Sequence, residues 1–265
     1  MKYLKLLYGY RKEILFLAYQ QIKTRYLETA FGIGWAIVTP MVFMFSFWFF
    51  FTVGLRGGAP QAGNPYLLNI FASYMPWFVI SELITSGTGV IKANGVLVKT
   101  IKFPVMALPM INVLSKMFVH IIVMLIVCII YVFLGGWTYL PDIYYINFIY
   151  YWFTMLVFFT GLTFFLSSLA TIIRDVKPLV GAIMMPLFWM TPVLYTPQSL
   201  RFDIIMRLVD PLYYFIIGYK ETLLYEKFFY EEIWYDIYIW VIIALIYIVG
   251  MLFWQKVRPL MADLI

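Results

Sequence analysis

The sequence predicts an all-α membrane protein: six transmembrane helices, an N-terminal amphipathic interfacial helix, and short re-entrant or outer helices between spans five and six. Three observations lead there. Hydrophobic residues fill 64% of the 265 positions and charged residues only 12%, whereas soluble domains run nearer half apolar and a quarter charged. Long stretches carry no charge, each near the roughly 20 residues that a bilayer core about 30 Å thick requires. Lys and Arg collect in alternate connections, as they do in cytoplasmic loops. The chain supplies about six crossings and little more, so residues 1–265 read as a single transmembrane domain.

The elements follow in order. In residues 1–28, Leu4, Leu7, Ile14, Leu17, Ala18 and Ile22 recur near helical spacing among Lys5, Arg11, Lys12, Lys23 and Arg25. That is the pattern of a helix lying in the membrane surface; the plainer alternative is a basic leader that only enforces topology. A cleavable signal peptide would show a basic start followed by one apolar core, whereas this segment mixes charged and apolar positions throughout. Residues 30–53 contain no Asp, Glu, Lys or Arg and form the first span. The second, 66–90, carries one acid, Glu82, and a short basic connection follows it. The third, 104–134, holds Lys116 and His120 in its first half. The fourth, 146–173, ends at Arg174, Asp175 and Lys177, and the fifth occupies 178–196. The apolar patch 211–219 is too short to cross and reads as a re-entrant or interfacial helix. Span six is 237–255, closed by Lys256 and Arg258.

Charge sets the orientation. With the amino terminus inside, Lys2, Lys5, Arg11, Lys12, Lys23, Arg25, Lys92, Lys99, Lys102, Arg174, Lys177, Lys256 and Arg258 face the cytoplasm. Only Arg56, Arg201, Arg207, Lys220 and Lys227 fall outside. Thirteen against five predicts both termini on the cytoplasmic side. The same asymmetry accounts for the net charge of +6, and no basic patch argues for nucleic acid.

Chemistry is sparse. One histidine, His120, and one cysteine, Cys128, leave no His- or Cys-based metal centre and no intrachain disulfide. No HExxH, DxD or GxxxxGK[ST] occurs, so no catalytic site, metal site or cofactor is expected in this chain, and ATP would have to bind another polypeptide. An integral-membrane glycosyl- or acyltransferase would need an acid or histidine pair facing a polar pocket; no pair in the chain stands out for that role, so this reading is the less favoured alternative. Glu82, Lys116 and His120 are the charges and imidazole that fall within spans. They could form a proton relay, or Glu82 and Lys116 could form a structural ion pair near the cytoplasmic end. The ion pair is preferred, because coupled carriers place more polar groups at the midplane.

Aromatics are abundant, with 25 Phe, 22 Tyr and 9 Trp. Tyr144, Tyr145, Tyr150, Tyr151 and Trp152 suit an interfacial belt. Trp35, Phe43, Phe47, Trp77, Phe188 and Trp189 lie deeper. Together with Tyr195 they are candidates to line a substrate channel, since aromatic faces stack on sugar C–H faces yet permit sliding. For any one of them, ordinary packing is the alternative.

Several motifs in order resemble ABC-2 type permeases that export polysaccharides, most of all O-antigen exporters. These are Gln-Ile-Lys-Thr-Arg-Tyr at 21–26, Phe-Gly-Ile-Gly-Trp-Ala at 31–36 with Pro40, and Met-Pro-Trp-Phe at 75–78 with Thr-Ser-Gly at 85–87. Asn94 through Pro104, Ser167-Ser168 before Arg174-Asp175-Val176, and Thr-Pro-Val-Leu-Tyr at 191–195 continue the series. Asp210-Pro211-Leu212 and the closing Ala-Asp-Leu-Ile at 262–265 complete it. Val105-Met106 depart from the charged residues many members carry after Phe103-Pro104, and Asp210 stands where the family has Asn.

The resemblance implies a homodimer with two copies of a separate ABC ATPase that binds ATP and Mg. It implies export of a lipid-linked polysaccharide across the bacterial inner membrane, through a channel lined by spans one and five. It assigns ATPase coupling to Ile91, Lys92, Asn94, Lys99, Lys102 and Phe103. Exporters of teichoic acid, or of a small amphiphile or drug, share the architecture and stay open as alternatives, as does an ion-coupled carrier.

Overall fold

The computed structural model describes residues 8–54, 65–95, 104–135, 141–197 and 199–261. Those residues are helical nearly throughout, with no strand among them. Helix α1, Arg11–Ile22, runs on into a π-helical turn, Lys23–Leu27. The chain then turns through Gly32, whose φ of +56° is a left-handed conformation that glycine adopts without steric cost. Helix α2, Gly34–Phe49, continues as a second π-helical turn, Phe50–Gly54. Helix α3, Tyr66–Ala93, starts behind an extended Pro65 and ends where the Asn94 side chain donates to the Val90 carbonyl at 2.7 Å. Helix α4 is Ala107–Gly135 and α5 is Asn147–Ile172. A single 3-10 turn, Ile143–Ile146, leads into α5, and Asp142 caps it by accepting from the Tyr144 amide.

Helix α6, Val176–Met190, is followed by two short helices, α7 at Leu200–Val209 and α8 at Pro211–Leu224. Asp210 caps α8 by accepting from the Leu212 amide at 3.0 Å, with Pro211 at the first helical position. Proline suits that place because its missing N–H would have no partner there. Helix α9 is Ile233–Val257.

Among the described residues, five helical stretches are long and apolar enough to cross a membrane: Gly34–Gly54, Tyr66–Ala93, Ala107–Leu134, Ile143–Ile172 and Phe229–Leu260. They correspond to expected spans one to four and six. The expected fifth span is α6, a helix of only 15 residues, which reaches about 22 Å at 1.5 Å per residue.

The bundle is built around α3. Its most apolar stretch is 72% buried, against 17% for the first span and 22% for the last. Helices α2 and α9 therefore stand at the rim with large apolar side chains outward, among them Phe45, Phe49, Val241 and Leu252. In water that surface would drive aggregation; facing lipid it costs nothing. Helices α5 and α9 cross closely. A β-carbon added to Gly250 would lie 2.4 Å from the Gly161 carbonyl oxygen, and one on Gly161 would lie 2.8 Å from the Tyr247 Cα. Two glycines at one crossing allow the backbones this approach.

Helix α1 packs along α4. Ile14 and Ala18 are buried against a cluster that includes Val90, Ile91, Ala107, Ile111 and Trp254. Leu17 and Ile22 are half-buried, while Leu4 and Leu7 lie outside the described residues. Leu15, Phe16 and Tyr19 are exposed, so α1 carries apolar side chains beyond its packed stripe, as a helix resting in the membrane surface would.

The two short helices behave differently. Helix α7 is amphipathic and presents Leu200, Ile204, Leu208 and Val209 outward. Helix α8 plunges into the bundle, with Leu212, Tyr214, Phe215, Ile216 and Tyr219 buried. Tyr219 meets His120, which lies about 22 Å along α4 from Gly135. That depth makes α8 re-entrant.

Candidate functional site

Helices α2, α3 and α6 enclose a groove of about 330 Å³. Each contributes one face at helical spacing: Phe43 and Phe47 from α2, Tyr74, Trp77 and Ser81 from α3, Gly181, Met184, Met185 and Phe188 from α6. Residues three, four and seven apart share a helix face, which is why these fall together. Phe188 is the hub. Its ring centre lies 5.4 Å from Phe47, 5.4 Å from Trp77 and 6.3 Å from Tyr74. Phe43 and Phe47 also meet Tyr74, at 6.2 and 5.7 Å. Trp77 and Phe188 form a buried floor, while Phe43 is half exposed at the rim. The lining offers aromatic faces and thioethers, with Ser81 and Tyr74 as its hydroxyls.

Four of the seven channel candidates, Phe43, Phe47, Trp77 and Phe188, thus line one groove. The other three do not. Trp35 lies about 12 Å before Phe43 along α2, exposed and edge-on to Phe31. Trp189 follows Phe188 but points outward. The Tyr195 hydroxyl donates to the Met190 carbonyl at 3.1 Å beyond the end of α6. Tyr74, Ser81, Gly181, Met184 and Met185 were not anticipated. The spacing of Tyr74 from Trp77 and of Met184 from Phe188 was the available signal.

Beyond α6 the chain is non-helical, yet Thr191, Pro192, Val193 and Leu194 are buried. Side chains from other helices hold their polar groups. Lys220, buried on α8, donates to the carbonyls of Pro192 at 3.3 Å and Tyr195 at 3.0 Å. The Tyr66 hydroxyl donates to the Leu194 carbonyl at 3.0 Å, and the Thr191 hydroxyl to the Asp210 carboxylate at 2.6 Å. Irregular backbone is tolerated at membrane depth when protein satisfies it in this way.

The expected pair of Glu82 and Lys116 is present at 3.7 Å. It is a triad, because Arg25 from the π-helical turn after α1 binds the other Glu82 oxygen. Glu82 lies about 24 Å along α3 from Tyr66 and Lys116 about 28 Å along α4 from Gly135, so both stand in the halves of their helices that end at Ala93 and begin at Ala107. His120 does not face them. Its Nε2 pairs with the Tyr219 hydroxyl at 2.8 Å, and its Nδ1 has no partner among the described residues. The two polar sites are separate, which leaves no relay through all three groups.

Beside the start of α9, Arg207 of α7 pairs with Asp203 at 2.8 Å and with Glu232, and lies over the Tyr235 ring. Burial lowers the pKa of its guanidinium, but Glu232 and Asp203 outweigh that and hold it above the ordinary value.

Of the coupling candidates, Lys92 is exposed at the end of α3, and Asn94 caps that helix. Ile91 is wholly buried under α1, so it can act only by packing and presents no docking surface. Lys99, Lys102 and Phe103 lie outside the described residues. Among the described residues, no three His, Cys, Asp or Glu side chains converge to hold a metal ion.

Residues 12–224 match the ABC-2 type transporter family, and the chain belongs to it. Among similar proteins, the O-antigen export system permease protein RfbA of Klebsiella pneumoniae is 25% identical over 249 residues, covering 93% of this chain and 92% of that one. RfbA of Myxococcus xanthus is 23% identical over 195 residues, covering 74% and 72%.

Proposed function

We propose that this chain is the membrane subunit of an ATP-driven exporter that carries a lipid-linked, O-antigen-like polysaccharide from the cytoplasm across the bacterial inner membrane. It works as a homodimer with two copies of a separate ABC ATPase. The aromatic groove of α2, α3 and α6 carries this reading. A glycan conduit needs flat, weakly directional contacts so that no sugar is held fast, and Phe43, Phe47, Tyr74, Trp77 and Phe188 supply them. The groove is open along one side, and the exposed apolar faces of α2 and α6 flank the opening. A second copy would close it into a channel. Helix α6 and the held segment 191–195 together form the remaining crossing, which returns the carboxyl end to the cytoplasmic side. The permease names of the relatives support the substrate class.

On this reading the segment from Ile91 to Phe103 receives motion from the ATPase, with Lys92, Lys99 and Lys102 presenting charge to it. Reversing Lys99 and Lys102 to Glu should abolish co-purification of the ATPase; retained co-purification would contradict the assignment. The groove is tested by Phe47→Ala combined with Phe188→Ala in cells that assemble surface polysaccharide. Export should fall by about tenfold or more, the equivalent of about 1.4 kcal/mol in a barrier, with protein level and dimer unchanged. Full export would sink the conduit.

A further inference from the structure

A second crevice, sharing no residue with the aromatic groove, opens where α1 crosses α4 and α9. Its volume is about 360 Å³. Ile14 and Leu15 of α1, Met110 and Leu114 of α4, and Tyr247 of α9 form its walls. Met110 and Leu114 lie in the first turns of α4, whereas Tyr247 stands ten residues before the end of α9. The crevice therefore runs roughly 15 Å inward from the ends of these helices.

At its margin stands Arg11. The guanidinium lies 4.3 Å from the Tyr8 ring centre and donates to the Tyr8 carbonyl at 2.9 Å. Among the described residues, no carboxylate lies within 4.0 Å of it. Glu13, two positions on, faces a different side of the helix. A guanidinium has five donors in a planar fork that matches phosphate geometry. Arg11 therefore offers unused donors beside an apolar slot, and Lys12 stands next to it. Charge and shape together select a two-part ligand, anionic at one end and hydrocarbon at the other.

We infer that this crevice holds one anionic bilayer phospholipid of the cytoplasmic leaflet, its phosphate on Arg11 and one acyl chain laid along Met110, Leu114 and Tyr247. The lipid is a resident part of the fold that ties α1 to α4 and α9. The inference rests on the proposed orientation, with α1 on the cytoplasmic side, where anionic lipid meets juxtamembrane basic residues. The export substrate is a different lipid and belongs to the other groove.

Native mass spectrometry of the full-length protein with its ATPase, taken from bilayers of phosphatidylglycerol and phosphatidylethanolamine, tests this directly. Wild type should retain phosphatidylglycerol in preference. Arg11→Gln should lower that retention by about tenfold, the scale of a charge-assisted hydrogen bond, without changing phosphatidylethanolamine. Leu114→Trp, which fills the slot, should lower it too. Should that variant not fold, Arg11→Gln decides alone, because Arg11 is exposed. Equal retention by wild type and Arg11→Gln would overturn the inference. Displacement of phosphatidylglycerol by a polyprenyl phosphate would also overturn it, by giving the crevice to the substrate. Export measured on the same preparation keeps the two readings apart. Lost lipid preference with intact export refutes only the resident lipid; intact preference with no export refutes only the transport function.

Discussion

Glu82 shows how one carboxylate can hold two elements. Its oxygens face Lys116 on α4 and Arg25 at the end of α1, so the amino-terminal helix is fastened to the bundle by charge as well as by Ile14 and Ala18. The two cations are not equivalent. Lys116 is 5% exposed and Arg25 44%. Removing the acid strands a buried ammonium, which costs about 3–5 kcal/mol when no partner replaces it. Removing Arg25 leaves Glu82 paired to Lys116 and should cost less than about 1 kcal/mol, because a half-exposed ion pair is screened by water. Glu82→Ala should therefore lower the unfolding midpoint in detergent much more than Arg25→Ala. Equal effects would mean that Lys116 does not depend on Glu82. From the sequence, the Glu82 and Lys116 partnership could be read because both charges interrupt neighbouring apolar runs. Arg25 could not, since a basic residue outside a span is already accounted for by topology. His120 misled for the opposite reason. Its spacing from Lys116 is helical, but its partner Tyr219 is 99 residues away, and no local pattern announces such a contact.

Helices bring their own constraints. The crossing of α5 and α9 depends on Gly161 and Gly250, where a single added carbon would enter the opposite backbone. Gly250→Leu should force the helices apart and cost about 3 kcal/mol or more, read as loss of folded protein by size-exclusion fluorescence. Gly181→Ala is the control, since an added β-carbon there meets nothing within 4 Å; similar losses in both would remove the close-packing argument. The end of α6 depends on Lys220 in another way. Lys220→Met would leave the carbonyls of Pro192 and Tyr195 without their donor, and segment 191–195 should loosen. A cysteine at Val193, buried in wild type, should then become reactive to a maleimide; continued protection would show that Tyr66 and Asp210 suffice. Long uncharged runs made the helices of spans one to four and six legible. The shortness of α6 was not, because residues 191–196 carry no charge and extend the uncharged run, with Pro192 as the hint at the break. The depth of α8 was half legible: its apolar patch was plain, but burial of Lys220 inside the bundle runs against its charge.

At the scale of the whole molecule, one side of the bundle carries the aromatic groove. Helices α2 and α6 together expose Trp35, Phe43, Phe49, Leu179, Met185 and Trp189 beside the aromatic groove, and they converge on the well-buried α3. A monomer would leave this groove open to acyl chains. On the proposed function, two copies would turn it into a passage, and a separate ABC ATPase would supply the ATP-driven step. The measurement closest to the central claim is transport in proteoliposomes that contain this chain, its ATPase and a defined lipid-linked polysaccharide. Glycan should become accessible on the far side only with hydrolysable ATP. The combined replacement of Phe43, Phe47, Trp77 and Phe188 by Ala should stop that movement in a complex that still assembles. ATP-dependent movement that survives those four replacements undiminished would contradict the account.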